Sequence, residues 1–125
     1  MAKNRVAGRI ISSVALAGGL LVAAGTAPAQ ADPELCTQHS YGKICVQRYP
    51  TTNNIRTTFY NNRGGANTLY LGIVRYPSAI VKMSDWRTVP YGGTTSISFT
   101  YKDESNTFQG YFRAASGESA ESPWT

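Results

Sequence analysis

Thr68-Leu69-Tyr70-Leu71-Gly72-Ile73-Val74-Arg75-Tyr76 places Leu69, Leu71 and Ile73 at one parity and Tyr70, Val74 and Tyr76 at the other. A period of two marks a strand with one buried face. Working outward, the same alternation recurs over residues 43–49, 54–61, 79–83, 94–101 and 107–115, with a shorter run at 87–89. The breaks fall at Pro50, Asn62-Arg63-Gly64-Gly65, Pro77, Pro90-Tyr91-Gly92-Gly93 and Lys102-Asp103-Glu104-Ser105-Asn106, all chemically suited to turning. Almost nothing carries a helical period. The expected fold is all-β, a small antiparallel β-sandwich of about six to seven strands.

Sorting the runs by parity separates a core from a surface. One set is Ile44, Val46, Ile55, Phe59, Leu69, Leu71, Ile73, Ile97, Phe99, Tyr101, Phe108 and Phe112, the interior of a sandwich. The other holds Gln47, Tyr49, Arg56, Thr58, Tyr60, Tyr70, Val74, Tyr76, Ser96, Ser98, Gln109, Tyr111 and Arg113. Tyr and Arg bury large area at modest entropic cost and keep a polar tip, which makes them interface anchors. They also pack across strands on any half-buried pleated surface, so sheet packing alone is the competing reading. The partner-binding candidates are Arg56, Tyr60, Tyr70, Tyr111 and Arg113. Trp86, in the loop-like Ser84-Asp85-Trp86-Arg87, and Trp124, in a Gly-Glu-Ser tail too polar to fold by itself, add a second aromatic route.

Residues 1–31 read as a secretory signal peptide. Lys3, Arg5 and Arg9 give a positive start, residues 10–25 a small apolar run, and Ala29-Gln30-Ala31 a cleavage site. The apolar run includes Ser12, Ser13 and three glycines, and it falls short of the roughly 20 apolar residues a membrane span needs. Asp32-Pro33-Glu34-Leu35 lacks the small residues of a lipobox ahead of Cys36, so no lipid anchor is expected either. The expected organisation is a leader, a β-sandwich domain over 32–115 that includes a disulfide-tied N-terminal segment, and a polar tail over 116–125. The expected location is extracellular, with no membrane association after cleavage.

The whole chain carries a formal +5. Without the three cations of the leader, nine basic side chains face seven acidic ones, a formal +2. The remaining cations are spread about one per strand or turn, and no run is built to track phosphates, which removes nucleic acid as an expected partner. Cys36 and Cys45 are expected to pair in an oxidising compartment and to tie two antiparallel arms across a turn at Ser40-Tyr41-Gly42. Closing a ten-residue loop stabilises by about 2.7 kcal/mol on the chain-entropy account.

Catalytic chemistry finds few groups. His39 and Ser40 are adjacent, and neighbours on an extended chain point apart, which argues against a Ser–His unit. Asp103 and Glu104 sit in a turn whose solvated chemistry explains them better than a glycosidase acid pair does. Asp85 and Glu118 are acids with nothing in the sequence to bring them together. No C-x-x-C, EF-hand or phosphate-cradling pattern occurs, so no metal and no cofactor is expected.

Three function classes fit what remains: a non-catalytic protein-binding module, a secreted peptidase or glycosidase inhibitor presenting the Cys36–Cys45 loop, and a carbohydrate-binding module stacking sugars on Trp86, Tyr91 or Trp124. The lack of a long constrained loop ranks the first above the second, and no two tryptophans share a strand face, which ranks the third last. Val89-Pro90-Tyr91-Gly92-Gly93-Thr94 followed by Ser96-Ile97-Ser98-Phe99 resembles the turn and strand of bacterial immunoglobulin-like domains, without the Cys…Trp…Cys core of true immunoglobulin domains. The leader ending Ala29-Gln30-Ala31, the 94-residue remainder and a disulfide segment ahead of a sandwich together resemble the small adaptor subunit of the secreted umbrella toxin particles of actinomycetes. That resemblance implies a bridge between a lectin-like subunit and a repeat-containing toxin subunit, with residues 32–43 as a segment inserted into a partner.

Overall fold

The computed structural model describes residues 31–125; the expected leader lies outside the described residues. Nine strands form: β1 Leu35–His39, β2 Gly42–Tyr49, β3 Asn54–Tyr60, β4 Asn67–Arg75, β5 Ala79–Met83, β6 Arg87–Val89, β7 Thr94–Thr100, β8 Phe108–Ala114 and β9 Ser119–Trp124. Every pairing is antiparallel. One sheet runs β1-β2-β3-β7, and the other runs β9-β8-β4-β5, with β6 beside β5 on the same flank of β4. The chain leaves the first sheet after β3, returns to it at β7 and leaves it again at β8. With β2, β3 and β7 as strands A, B and E, and β4, β8 and β9 as C, F and G, this is the Greek-key order of an immunoglobulin-like sandwich. The difference is β6, which pairs with β4 instead of extending the first sheet past β7.

Two strands raise the count above the expected six or seven. β1 is the first arm of the disulfide hairpin. β9 replaces the expected polar tail: Ser119–Trp124 pairs with β8 along the second sheet. Pro123 cannot donate to that ladder, and the register shifts between Glu121 and Trp124. Buried Ser122 repairs the gap, because its Oγ accepts from Gly110 N at 2.9 Å and donates to Pro123 O at 2.8 Å.

Of the expected core, every member is buried except Phe99, which is half-buried at the rim. Val89 and Ala114 join it. The sheets come into close contact where Thr57 of β3 meets Gly110 of β8: a Cβ on Gly110 would lie 2.5 Å from Thr57 Oγ1. At one margin of the core the Arg48 guanidinium lies 4.9 Å over the Tyr101 ring and 5.6 Å from Phe108, and donates to Asn106 O and Thr125 O. Elsewhere, buried Asn61 donates from Nδ2 to Gly65 O at 2.7 Å and Val89 O at 2.9 Å, tying the loop after β3 to the end of β6. Pro90 to Gly93 close a type II turn in which Gly93 N donates to Pro90 O and Gly92 has φ 81°, a value that favours glycine.

Candidate functional site

Parity assigns a side chain to the inside or the outside of a sandwich, but a sandwich has two outsides. The outward residues divide accordingly. Arg56 and Tyr60 stand on the outer face of the first sheet with the disulfide, and Tyr70, Tyr111 and Arg113 stand on the outer face of the second. The candidates therefore do not form one surface.

On the first face the polar tips have partners within the chain. The Tyr60 hydroxyl donates to Glu34 Oε2 at 2.7 Å, and Lys43 Nζ lies 4.8 Å over the Tyr60 ring. Burial, then the hydrogen bond to Glu34, pushes the Tyr60 phenol up to about 12. The Arg56 guanidinium lies 4.8 Å from the Tyr49 ring. Cys36 and Cys45 are direct cross-strand partners, with Cα atoms 4.1 Å apart, and they form the expected disulfide. Glu34 lies close to both sulfurs, but those sulfurs are bonded to each other and offer no thiolate to a metal.

The second face is different. Gly72 at the centre of β4 lets the Tyr111 ring lie against the backbone of the neighbouring strand, where a Cβ would occupy the ring's own space. Flat packing of an aromatic on a strand glycine covers backbone that glycine leaves bare. Tyr70 stands nearly perpendicular to Tyr111, with ring centroids 6.3 Å apart and planes at 83°, and Trp86 stands against Tyr70 at 5.0 Å and 88°. Tyr76 and Trp124 meet edge to face at 5.6 Å. Tyr70, Tyr111 and Trp124 of this row line an open groove of about 440 Å³. One side is aliphatic, built from Val74, Pro77, Ile80 and Met83; the other is polar, built from Gln109, Arg113, Ser119 and Glu121.

Six large hydrophobic side chains are exposed among the described residues, and all but Tyr91 belong to this face or its rim. Tyr76, Ile80, Met83 and Trp86 are more than half exposed and Trp124 is 39% exposed. Neither ion pair among the described residues uses Arg113 or Glu121. Burial pushes the Tyr111 phenol up, Tyr70 adds to the rise, and Arg113 opposes it. A water-exposed apolar cleft with a cation and a carboxylate on its polar wall can bind an amphipathic chain segment; nothing in it pairs a nucleophile with a base. Alternation and residue type mark the aromatics and Arg113 in the sequence but not the aliphatic wall. Its signal was Ile80 to Met83, a short run with only Lys82 to break its apolar character.

The acids and the histidine are engaged elsewhere. His39 and Ser40 do approach, against the expectation that they point apart: the turn after β1 brings Ser40 Oγ to 3.4 Å from His39 Nδ1. The same Nδ1 accepts the Tyr41 backbone N–H at 3.1 Å, so its lone pair is already used, and Nε2 lies 3.7 Å from Glu118. The hairpin tip is also held down, with Tyr41 Oη 2.6 Å from Ser116 Oγ. Asp103 Oδ1 accepts from Ser105 N and Oγ, which holds its carboxyl below the usual range. Asp85 accepts from Arg87 Nε at 3.0 Å, with the same effect. Within residues 32–43, Leu35 to His39 are a paired strand that matches Val46 to Gly42 one for one. Insertion of that whole segment into a partner requires β1 to leave its sheet. No helix of the described residues is long and apolar enough to cross a membrane, and the disulfide belongs to an oxidising environment. No family model, curated protein or solved structure matches this chain.

Proposed function

We propose that this chain is a secreted, non-catalytic protein-binding module, an adaptor or structural subunit of an extracellular complex. The carrying observation is the outer face of the second sheet, where exposed Ile80, Met83 and Trp124 line one groove, with exposed Tyr76 packed on Trp124 and exposed Trp86 packed on Tyr70. Apolar side chains gathered in this way, rimmed by polar groups, characterise interaction sites, and Tyr, Trp, Met and Arg are the residues enriched at interface centres. The occupant is a segment of a partner protein whose apolar side chains lie against Val74, Ile80 and Met83 and whose polar groups meet Arg113 and Glu121. A toxin particle of the umbrella type is the specific complex that the leader and layout resemble.

Carbohydrate binding is the second reading, favoured by the flat Tyr111 ring beside Gln109, Arg113 and Glu121. It explains the polar wall but leaves the aliphatic wall unused, because sugars present hydroxyls where Ile80 and Met83 present methyl groups. An inhibitor acting through the Cys36–Cys45 loop has less support, since that hairpin tip is bonded to Ser116 and does not stand free.

The test is affinity capture of the tagged protein from its native culture supernatant, repeated with Ile80→Glu and Met83→Glu. Both positions are exposed, so folding should persist. Stoichiometric recovery of a larger secreted protein by the parent, lost in both variants, is the expected result. Recovery that the variants leave unchanged sinks the groove, and retention on immobilised glycan with no protein partner favours the second reading.

A further inference from the structure

β7 is an open edge of the first sheet and differs from the other edges. β1 has five residues, follows Pro33 and is tied to β2 by the disulfide. β9 contains Pro123 and a register shift, while β5 has five residues, a register shift against β4, and Lys82. Short length, proline, bulges and lysine keep sheet edges from pairing with other chains. β7 has seven residues, TTSISFT, in unbroken register with β3 and with no proline or charge.

The backbone directions along β7 are fixed by bonds at its two ends. Asn61 N donates to Gly93 O and Tyr101 N donates to Asn53 O, so odd-numbered residues face β3 and even-numbered residues face the open side. On the open side Ser96 O accepts from Arg87 Nη1 at 3.0 Å. Ser98 and Thr100 have no backbone partner there among the described residues. Thr94, Ser96, Ser98 and Thr100 present small hydroxyls outward. On the inner side, half-buried Phe99 and Val81 cover the core incompletely.

Charge then selects the occupant. Arg56 lies directly across from Ser98 on the outer face, and the Arg87 guanidinium sits at Ser96. Neither β7 nor its paired strand carries a carboxylate; the two acids that reach this edge through the bonding pattern are both engaged, Asp85 by Arg87 Nε and Glu34 by the hydroxyl of Tyr60 opposite Thr94, at the far end from Ser98. A second copy pairing β7 to β7 would bring two Arg56 and two Arg87 side chains together. We infer that β7 accepts an extended segment of a different protein as an added strand, with carboxylates on its solvent side and apolar side chains covering Phe99 and Val81. Strand addition draws affinity from the main chain and specificity from alternate side chains. This edge shares no lining residue with the groove, and it supplies a second interface.

The probe is a capped seven-residue peptide alternating valine with glutamate, added to the 15N-labelled protein, beside a peptide alternating valine with lysine. The expected result is amide shifts concentrated at 94–100, new exchange protection at Ser98 and Thr100, and binding at least tenfold tighter for the glutamate peptide. Ser98→Pro removes an N–H that β3 does not use and should abolish binding. Ser98→Glu keeps the strand intact, offsets one of the two arginines at this edge, and should narrow the preference for the glutamate peptide at least threefold. Absent shifts, shifts centred on the groove, or equal binding of both peptides each overturn the inference. A dimer by light scattering with Ser98 and Thr100 already protected overturns it in favour of self-pairing.

Discussion

Gly72→Ala isolates the groove from the fold. The new methyl would lie within the Tyr111 ring, and reaching ordinary contact takes a ring displacement of roughly 1.5 Å or more. Backbone surrounds it on the sheet side, so the ring must swing outward. Three contributions set the cost. Losing the edge contact with Tyr70 costs about 0.5–1.5 kcal/mol. Re-exposing about 40 Å² of ring and strand costs about 1 kcal/mol. Replacing a strand glycine by alanine returns about 0.5–1 kcal/mol. The net is a destabilisation of about 1 kcal/mol, or roughly 4–8 °C in Tm for a domain of this size. The discriminating assay is phenol titration at 295 nm. Burial raises the Tyr111 phenol in the parent, so the variant should titrate one tyrosine at lower pH, with a weaker near-UV circular dichroism signal and loss of partner capture. A variant with unchanged titration and near-UV signal would refute the placement of that ring, whatever its Tm.

Three further outcomes follow from single features. Cys36→Ala with Cys45→Ala should lower unfolding free energy in urea by about 2.7 kcal/mol, the closure entropy of a ten-residue loop; no change would mean that β1 pairing alone fixes the hairpin. The folded-state phenol of Tyr60, at about 12 against an unfolded 10.0, contributes stability that is complete below pH 10 and is lost as pH rises toward 12. Screening at this half-exposed site reduces the loss to about 1–2 kcal/mol, and Glu34→Gln should shrink it further in pH-dependent melts. Asn61→Ala strips donors from Gly65 O and Val89 O at a buried position and should cost about 2–3 kcal/mol by chemical denaturation; a loss under half of that would mean water replaces the amide.

Alternation made the core readable because a strand's side chains divide only between two faces, and the apolar set from Ile44 to Phe112 was dense enough to mark one of them. The same parity was blind to which outer face a residue occupies. That assignment depends on β3 pairing with β7 and β4 with β8, contacts that no local pattern encodes, and it is why Tyr60 and Tyr70 looked alike yet stand on opposite sides. β9 was missed for a different reason: Ser119, Glu121 and Pro123 read as a solvated tail by composition. The strand pairs with β8 through its backbone on both sides of the irregularity, and at the irregularity Ser122 supplies from its side chain an acceptor for Gly110 N. Ala120 and Ser122, small and two apart, were the available signal.

The two proposed surfaces meet in one dipeptide. Trp86 forms the end of the aromatic row through Tyr70, and Arg87, the next residue, holds Ser96 O at the β7 edge and Thr95 Oγ1 beside it. A strand added along β7 competes with Arg87 for the Ser96 carbonyl, and displacing the guanidinium releases the point that fixes the start of β6. Leu69 and Arg87 pair at that same point, while Asp85 retains the Arg87 side chain from behind. Occupancy of the edge therefore has a physical route to the position of the Trp86 ring and, through its contact with Tyr70, to the groove that Tyr70 lines. The coupling is bounded by what Arg87 holds, two hydrogen bonds from a partly exposed side chain, each worth about 1 kcal/mol net, so one partner alters the affinity of the other by no more than roughly 30-fold. If both proposed interfaces are used, either partner can arrive first, and the second then binds with an affinity changed by no more than that factor.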